Sequence, residues 1–424
     1  MALSTAKKVE VFFDQVMEAY EEQDQMAVNC DHFSMVGANA QNSNNVYWRQ
    51  VQQQAPVQSG WEFTDANFGD VIELSYPSTL ATPDNDLFKL RADDFRDRAF
   101  MDRRAKAAAM RLGAFQNTKI ANAVTSLSAQ FYRSSSSGYD FIKTGDTILR
   151  EQQVKIGGGQ PVFYVNDRTA QAISSDLAGR QTLQGIPDEA YRKGMMYKNT
   201  AGFDIYESSF LPSLAGTANP GGITVTSTVS QAPVANQTLA GGVVVPVDYR
   251  ISDAITLTGT LTNLVVGDVI TFSGVNSVGK QDKTNTGQPK TFRIVAKSGQ
   301  TIQVYPRPIA VGDAGLTPAQ AAYANISAQI AAGATVTKLN IDTLAQANVF
   351  WMPDSVEIVD GDAPLELLSQ LDGMEVKTGA LSSGTRLYIA YQGKIEDLTL
   401  RVRLFTWNNV VVRDPERCGV AIKF

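Results

Sequence analysis

The sequence predicts an α+β protein whose chain is interrupted by an antiparallel β-module. Three observations lead there. A helical pattern runs from Asp84 to about Gln130 with almost nothing to stop it. Residues 221–305 are dense in Thr, Val and Gly and divide into short strand-like runs. Mixed helix and strand signals start at Tyr139 and return after Asn348, so the module reads as an insertion between two halves of another domain.

Lys7 to Asp24 reads as an amphipathic helix, with Val9, Phe12, Phe13, Val16 and Tyr20 on one apolar face. Glu10, Asp14, Glu18 and Glu21 line another side. Such a stripe is either a solvated face or a docking strip for a basic partner helix. Gly37 to Gln58 is rich in Asn, Gln and Ser and carries one charge, Arg49. Val46-Tyr47-Trp48 suits a short strand there, and Trp61-Glu62-Phe63 and Asp70 to Tyr76 suit two more. The latter two, about an Asn67-Phe68-Gly69 turn, predict a two-stranded arm. A lone hairpin is marginal in water, so the arm is expected to lie on something else.

Pro83, Asp84, Asn85 and Asp86 look like a helix start, because their side-chain oxygens can accept the orphan N–H groups of a first turn. The rod behind them would span roughly 45 residues and on the order of 65 Å, against about 11–12 residues for an average helix. Asp94/Arg98, Arg98/Asp102 and Asp102/Lys106 are spaced to support it. Gly113 is its weak point and a candidate bend. Arg133 to Gly138 is a linker by composition, and Pro161 to Val165 reads as a buried strand.

Within the module, Ile223 to Thr226, Ala254 to Thr258, Val269 to Phe272 and Thr291 to Val295 fit a small antiparallel barrel or sandwich. Thr317-Pro318 opens a short helix. Leu398 to Leu404 alternates as a strand should.

At 424 residues the chain is long enough for two or three cores. Its 43% hydrophobic and 19% charged residues place it among globular proteins. A formal charge of −6 argues against a general grip on nucleic acid. Cys30 and Cys418 read as two reduced thiols, and neither a signal-type apolar region nor a membrane-length apolar run is visible, so folding in a cytoplasm is expected. His32 is the sole histidine, which leaves little room for histidine catalysis or a histidine metal site. Gly274 to Lys280 begins like a phosphate-binding loop, but Gln281 follows where Ser or Thr is required. Asp84/Asp86 and Asp360/Asp362 read as cap and turn carboxylates. No enzyme, cofactor or metal is expected. An amphipathic helix, an arm, a rod and an inserted module each expose surface that one subunit would struggle to bury, and self-assembly is the physical reading.

Pro83 to Asp97 resembles the start of the spine region in major coat proteins of short-tailed phages of the Salmonella and Shigella type. Gly60 to Asp65, Gly185 to Arg192, Ala201 to Asp204, Ala322 to Asn325 and Asn348 to Trp351 resemble that family in the same order, so the similarity spans essentially the full chain. The resemblance implies the Hong-Kong-97-type phage capsid fold with a long spine helix, an extended loop and an inserted antiparallel β-barrel domain. It places an N-terminal arm at 1–49, the extended loop at 50–83, a peripheral domain at 84–133 and 395–424, an axial domain at 134–220 and 349–394, and the inserted domain at 221–348. It also implies partners: further copies in pentamers and hexamers of an icosahedral shell, a scaffolding protein, a portal and enclosed double-stranded DNA without sequence-specific binding. No membrane is involved; the shell belongs to the virion and assembles in the host cytoplasm. Glu10, Asp14, Glu18 and Glu21 become a candidate contact for a basic scaffolding helix, and Gly113 a candidate hinge during expansion.

Two departures from that family matter. No Lys lies between Lys8 and Lys89, so covalent cross-linking through the extended loop is not expected. The stretch matching a charged inter-capsomer hairpin is Ala235 to Pro246, which is uncharged. Gln237, Leu239, Gly241, Val243 and Val245 are its candidate contacts, apolar or through backbone, and salt should matter little. The alternatives are a nanocompartment shell of the same fold and, further off, a tail or adhesin component.

Overall fold

The computed structural model describes residues 5–23, 25–35, 46–53, 60–62, 72–80, 82–91, 93–136, 138–155, 159–180, 195–238, 241–343, 345–363, 374–394 and 399–424. The chain forms two units. One comprises Met1–Tyr47, Ser78–Ala123 and Val356–Val411, and the other Trp48–Pro77, Val124–Ser355 and Val412–Phe424.

In the first unit a four-stranded antiparallel sheet runs in the order Met374–Ala380, Arg386–Lys394, Thr399–Thr406, Asp84–Arg91. Helix α1 (Thr5–Glu21) and helix α2 (Arg98–Leu127) supply the other side of its core. The apolar face of α1 is buried as its spacing demands: Val9, Phe12, Phe13, Val16 and Tyr20 are at most 4% exposed. On α2 the contributors are mostly small, with Ala105, Ala108 and Ala109 fully buried beside Met101 and Leu112.

The rod expected from Asp84 is shorter than its sequence pattern. Asp84–Arg91 is a strand, paired residue for residue with Thr399–Thr406. Asp86 and Leu90 are buried while Leu87 and Lys89 are exposed, which is the two-residue period of a sheet. Long-range pairing overrides the local helix signal. The true start is Asp97, whose carboxylate accepts the N–H groups of Ala99 at 3.0 Å and Phe100 at 3.2 Å. From there α2 runs for 30 residues, about 45 Å. Asp94 therefore lies outside the helix, and of the anticipated pairs Asp102–Lys106 forms, at 3.5 Å.

The second unit holds a six-stranded mixed sheet, in the order Gln130–Ser134, Cys418–Lys423, Ala347–Trp351, Val162–Val165, Phe203–Glu207, Met195–Thr200. Helices α3 (Tyr139–Glu151) and α4 (Asp167–Arg180) share its core, Phe141 and Leu149 from one and Ile173 from the other joining Phe163, Phe203 and Phe350. Phe350 lies flat on Phe163, centroids 5.5 Å apart, and any side chain at Gly419 would collide with its ring.

The same unit contains the inserted module, a six-stranded antiparallel sheet ordered Val336–Lys338, Val269–Val278, Asn285–Ser298, Thr301–Tyr305, Ile255–Thr258, Thr224–Val225. Its two ends meet. Val225 N donates to Ala334 O and Val336 N to Ile223 O, both at 3.0 Å, which closes the sheet into a barrel around Phe272, Phe292, Ile294 and Val304. The short helix α5 (Pro318–Ala321) begins at Thr317 with a complete capping box.

Candidate interaction surfaces

Glu10, Asp14, Glu18 and Glu21 are all exposed on α1. Burial of the opposite face fixes their direction. The two ends of the stripe are tied down: Glu10 pairs with Lys377 at 3.3 Å, and a Glu21 carboxylate oxygen accepts the Ser382 N–H at 2.8 Å. Asp14 and Glu18 make no ion pair or hydrogen bond among the described residues. They stand one turn apart, with Val11, 47% exposed, beside them.

Gly113 sits in unbroken helix. Its missing side chain has a local reason: a Cβ there would lie 2.8 Å from the Cβ of Gln23, in the turn that follows α1. Asn117, buried one turn further on, donates to Gln23 O at 2.9 Å and accepts the Met26 N–H at 3.3 Å. The turn after α1 is thus seated on α2 by a glycine and an asparagine four residues apart.

The candidate hairpin is present. Asn236–Thr238 pairs with Val244–Pro246, placing Gln237 opposite Val245. Gly241 and Gly242 take positive φ at the turn, where a glycine is the natural residue. Val243 and Val244 are about 60% exposed, an apolar tip without a charge. Leu239 lies outside the described residues. The root of the hairpin is held by Ser75, whose hydroxyl lies 3.2 Å from Ala235 O and 3.3 Å from Val247 O.

The Gly274–Lys280 stretch is strand and turn, and no helix follows it. Gln153 Oε1 accepts the N–H groups of Gln281 and Asp282, and Lys280 pairs with Asp414. This lysine belongs to a network holding the barrel to the C-terminal segment: Lys290 to Glu416 at 2.9 Å, and Arg417 with both Asp354 and Asp414. Burial pushes the Asp414 and Glu416 carboxyls up, but the neighbouring cations outweigh it and hold both below their ordinary values.

Asp84 and Asp86 are not cap residues. Facing α2 from their strand, Asp84 takes Lys119 at 2.9 Å and Asp86 takes Arg111 at 2.9 Å. Asp360 pairs with His32 at 3.5 Å and Asp362 with Arg386 at 3.1 Å. Sequence reasoning placed Ser75 in a strand and Tyr323 in a family-like stretch but missed both as anchors, since their partners are backbone carbonyls far along the chain.

A family model described as P22 coat protein, gene protein 5, matches residues 1–423. The chain is similar to the CUS-3 coat protein I-domain, with 36% identity over 28% of this chain and 95% of that one, TM-score 0.23. It is also similar to the mature capsid subunit of bacteriophage PhiM1, with 10% identity over 93% and 85% of the two chains, TM-score 0.42. A third similarity is to the SrpI encapsulin of Synechococcus elongatus, 11% identical over 94% and 86%, TM-score 0.36.

Proposed function

Because this chain belongs to the P22 coat protein family, it is a structural subunit of a phage capsid, and we propose that it builds an icosahedral shell around double-stranded DNA by way of a scaffolding-assisted procapsid that expands on packaging. Assembly takes place in the host cytoplasm, with a portal at one vertex. The observation that supports the scaffolding step is the pair Asp14 and Glu18, exposed and without an ion pair or hydrogen bond among the described residues, on a helix whose other face is sealed. Two carboxylates one turn apart beside an exposed valine suit a basic amphipathic helix, where charge steers the encounter and a small apolar contact completes it. The uncharged hairpin at 236–246 supports inter-capsomer contacts made through side-chain burial and backbone.

Co-expression with the phage's scaffolding protein, followed by electron microscopy, tests this. Closed particles are expected from the natural chain, and a Asp14→Lys, Glu18→Lys double variant is expected to lower their yield about tenfold while the chain still folds. Undiminished yield would remove the strip from the scaffolding contact. Particles filled with a protein cargo and lacking DNA and portal would point instead to a nanocompartment.

A further inference from the structure

His32, the only histidine of the chain, is set between two oxygens. It lies on the short strand Asp31–Ser34, which pairs in parallel with Val356–Asp360. Its Nδ1 stands 3.5 Å from Asp360 Oδ2, and its Nε2 stands 3.4 Å from Ala27 O in the single helical turn just before it. A neutral imidazole carries one N–H, so either tautomer turns a lone pair toward one of these oxygens. An imidazolium donates to both, and one of the two acceptors is then a carboxylate. Asp360 is buried and the His32 side chain is 20% exposed, so water does not fully replace either partner. Gly384 packs so close that a Cβ there would stand 3.1 Å from the ring. The Met35 N–H donates to Asp360 O at 3.2 Å, so the residue that meets the ring also closes the strand pairing.

We propose that His32 and Asp360 form a proton-operated clasp, which grips the chain leaving α1 against the strand Val356–Asp360 while the imidazole is charged and loosens when it is neutral. The clasp does not depend on the shell reading. The other charged groups about the pair come from four elements. Arg386, paired with Asp362, and Lys119 of α2, paired with Asp84, both act on Asp360. Asp31 precedes His32 and accepts its N–H at 3.0 Å, and Glu357 lies opposite Asp31. Two proton equilibria bound the clasp. As pH rises past the histidine range, about 6.5 for an unperturbed imidazole, the ring loses its charge. As pH falls, Asp360 takes up a proton, and does so above the ordinary 3.8 because burial outweighs the pull of His32 and the two cations. The grip is therefore strongest in mild acid and weakens on both sides.

Hydrogen exchange on the full, unassembled chain, corrected for the intrinsic pH dependence of exchange, reads the grip directly. Protection of the Asp31 to Met35 amides is expected to fall about fivefold between pH 6 and 8, while the strands Arg386–Lys394 and Thr399–Thr406 keep theirs. His32→Asn keeps a donor near the place of Nδ1 but does not titrate, and its protection should be flat over that interval. Because the chain has one histidine, its labelled ring nitrogens report the charge in the same samples. At pH 6.5 the ratio of imidazolium to neutral ring should be several times higher in the natural chain than in Asp360→Asn. Equal ratios in the two would overturn the proposal, since the carboxylate would then not reach the ring. Flat protection in the natural chain would overturn it as well, as would a loss that persists in His32→Asn or spreads to the reference strands.

Discussion

Gln23 and Gly113 touch where no larger residue fits: a Cβ on Gly113 would stand 2.8 Å from the Cβ of Gln23. This contact, with Asn117 beside it, sets how closely the turn after α1 approaches α2. Gly113→Ala should gain about 1 kcal/mol of helix propensity and lose about 1–3 kcal/mol to overpacking. A net loss near 1 kcal/mol is expected in chemical denaturation. A hinge at Gly113 makes the opposite forecast, with unchanged or raised chain stability and blocked expansion of the shell. The two measurements separate packing from bending.

Asp86 joins its strand to α2 by accepting Arg111 on both oxygens, with Arg104 at 4.0 Å. The carboxylate is buried and its partners are partly exposed, so Asp86→Ala should cost about 1–2 kcal/mol. Asp86→Leu is the sharper comparison, since it restores apolar volume without charge. If both variants match the natural chain in urea midpoint, the ion pairs add nothing to stability.

The network around Asp414 and Glu416 has a defined pH range. Both carboxyls lie below their ordinary 3.8 and 4.5 in the folded chain. Their stabilisation is therefore present above those values and is lost as pH falls through the lower folded ones. Lys280 is held above its ordinary 10.5, burial being outweighed by Asp414 and Glu416, so its share is complete below that value and is lost at still higher pH. Thermal unfolding should show a plateau between about pH 5 and 10 from this network. Removing the carboxylate in Glu416→Gln should flatten the acid limb; an unchanged acid limb would show that other groups dominate it.

The hairpin predicts a salt response. With Gln237 facing Val245 and an apolar tip at Val243 and Val244, shells should lose little stability between low and high ionic strength. Val243→Asp should weaken the particles and make that weakness depend on salt. Dissociation followed by light scattering across a sodium chloride series reads both effects.

Some of this was legible from residues alone. Positions 9, 12, 13, 16 and 20 announce α1 because a helix buries a fixed stripe, and the barrel shows through its Thr- and Val-rich alternation. Asp84 misleads because an Asp/Asn cluster looks the same before a helix as on a sheet edge facing cations. Only the pairing of Thr399–Thr406 with that segment decides it. The anchoring roles of Ser75 and Tyr323 leave no local trace, since their partners are backbone carbonyls 160 to 272 residues away. The acidic strip was visible as a pattern, but not that its ends are occupied while Asp14 and Glu18 have no partner among the described residues.

The seam between Ile223–Val225 and Ala334–Val336 has a consequence for crowding. An open sheet of this size would present two unsatisfied rows of N–H and C=O groups, each a template for another copy. A growing shell gathers many copies of one chain at high local concentration, the condition under which such templates do most harm. A barrel sewn shut carries no such row, so within the insertion the open strand edges are confined to the short hairpin Asn236–Thr238/Val244–Pro246.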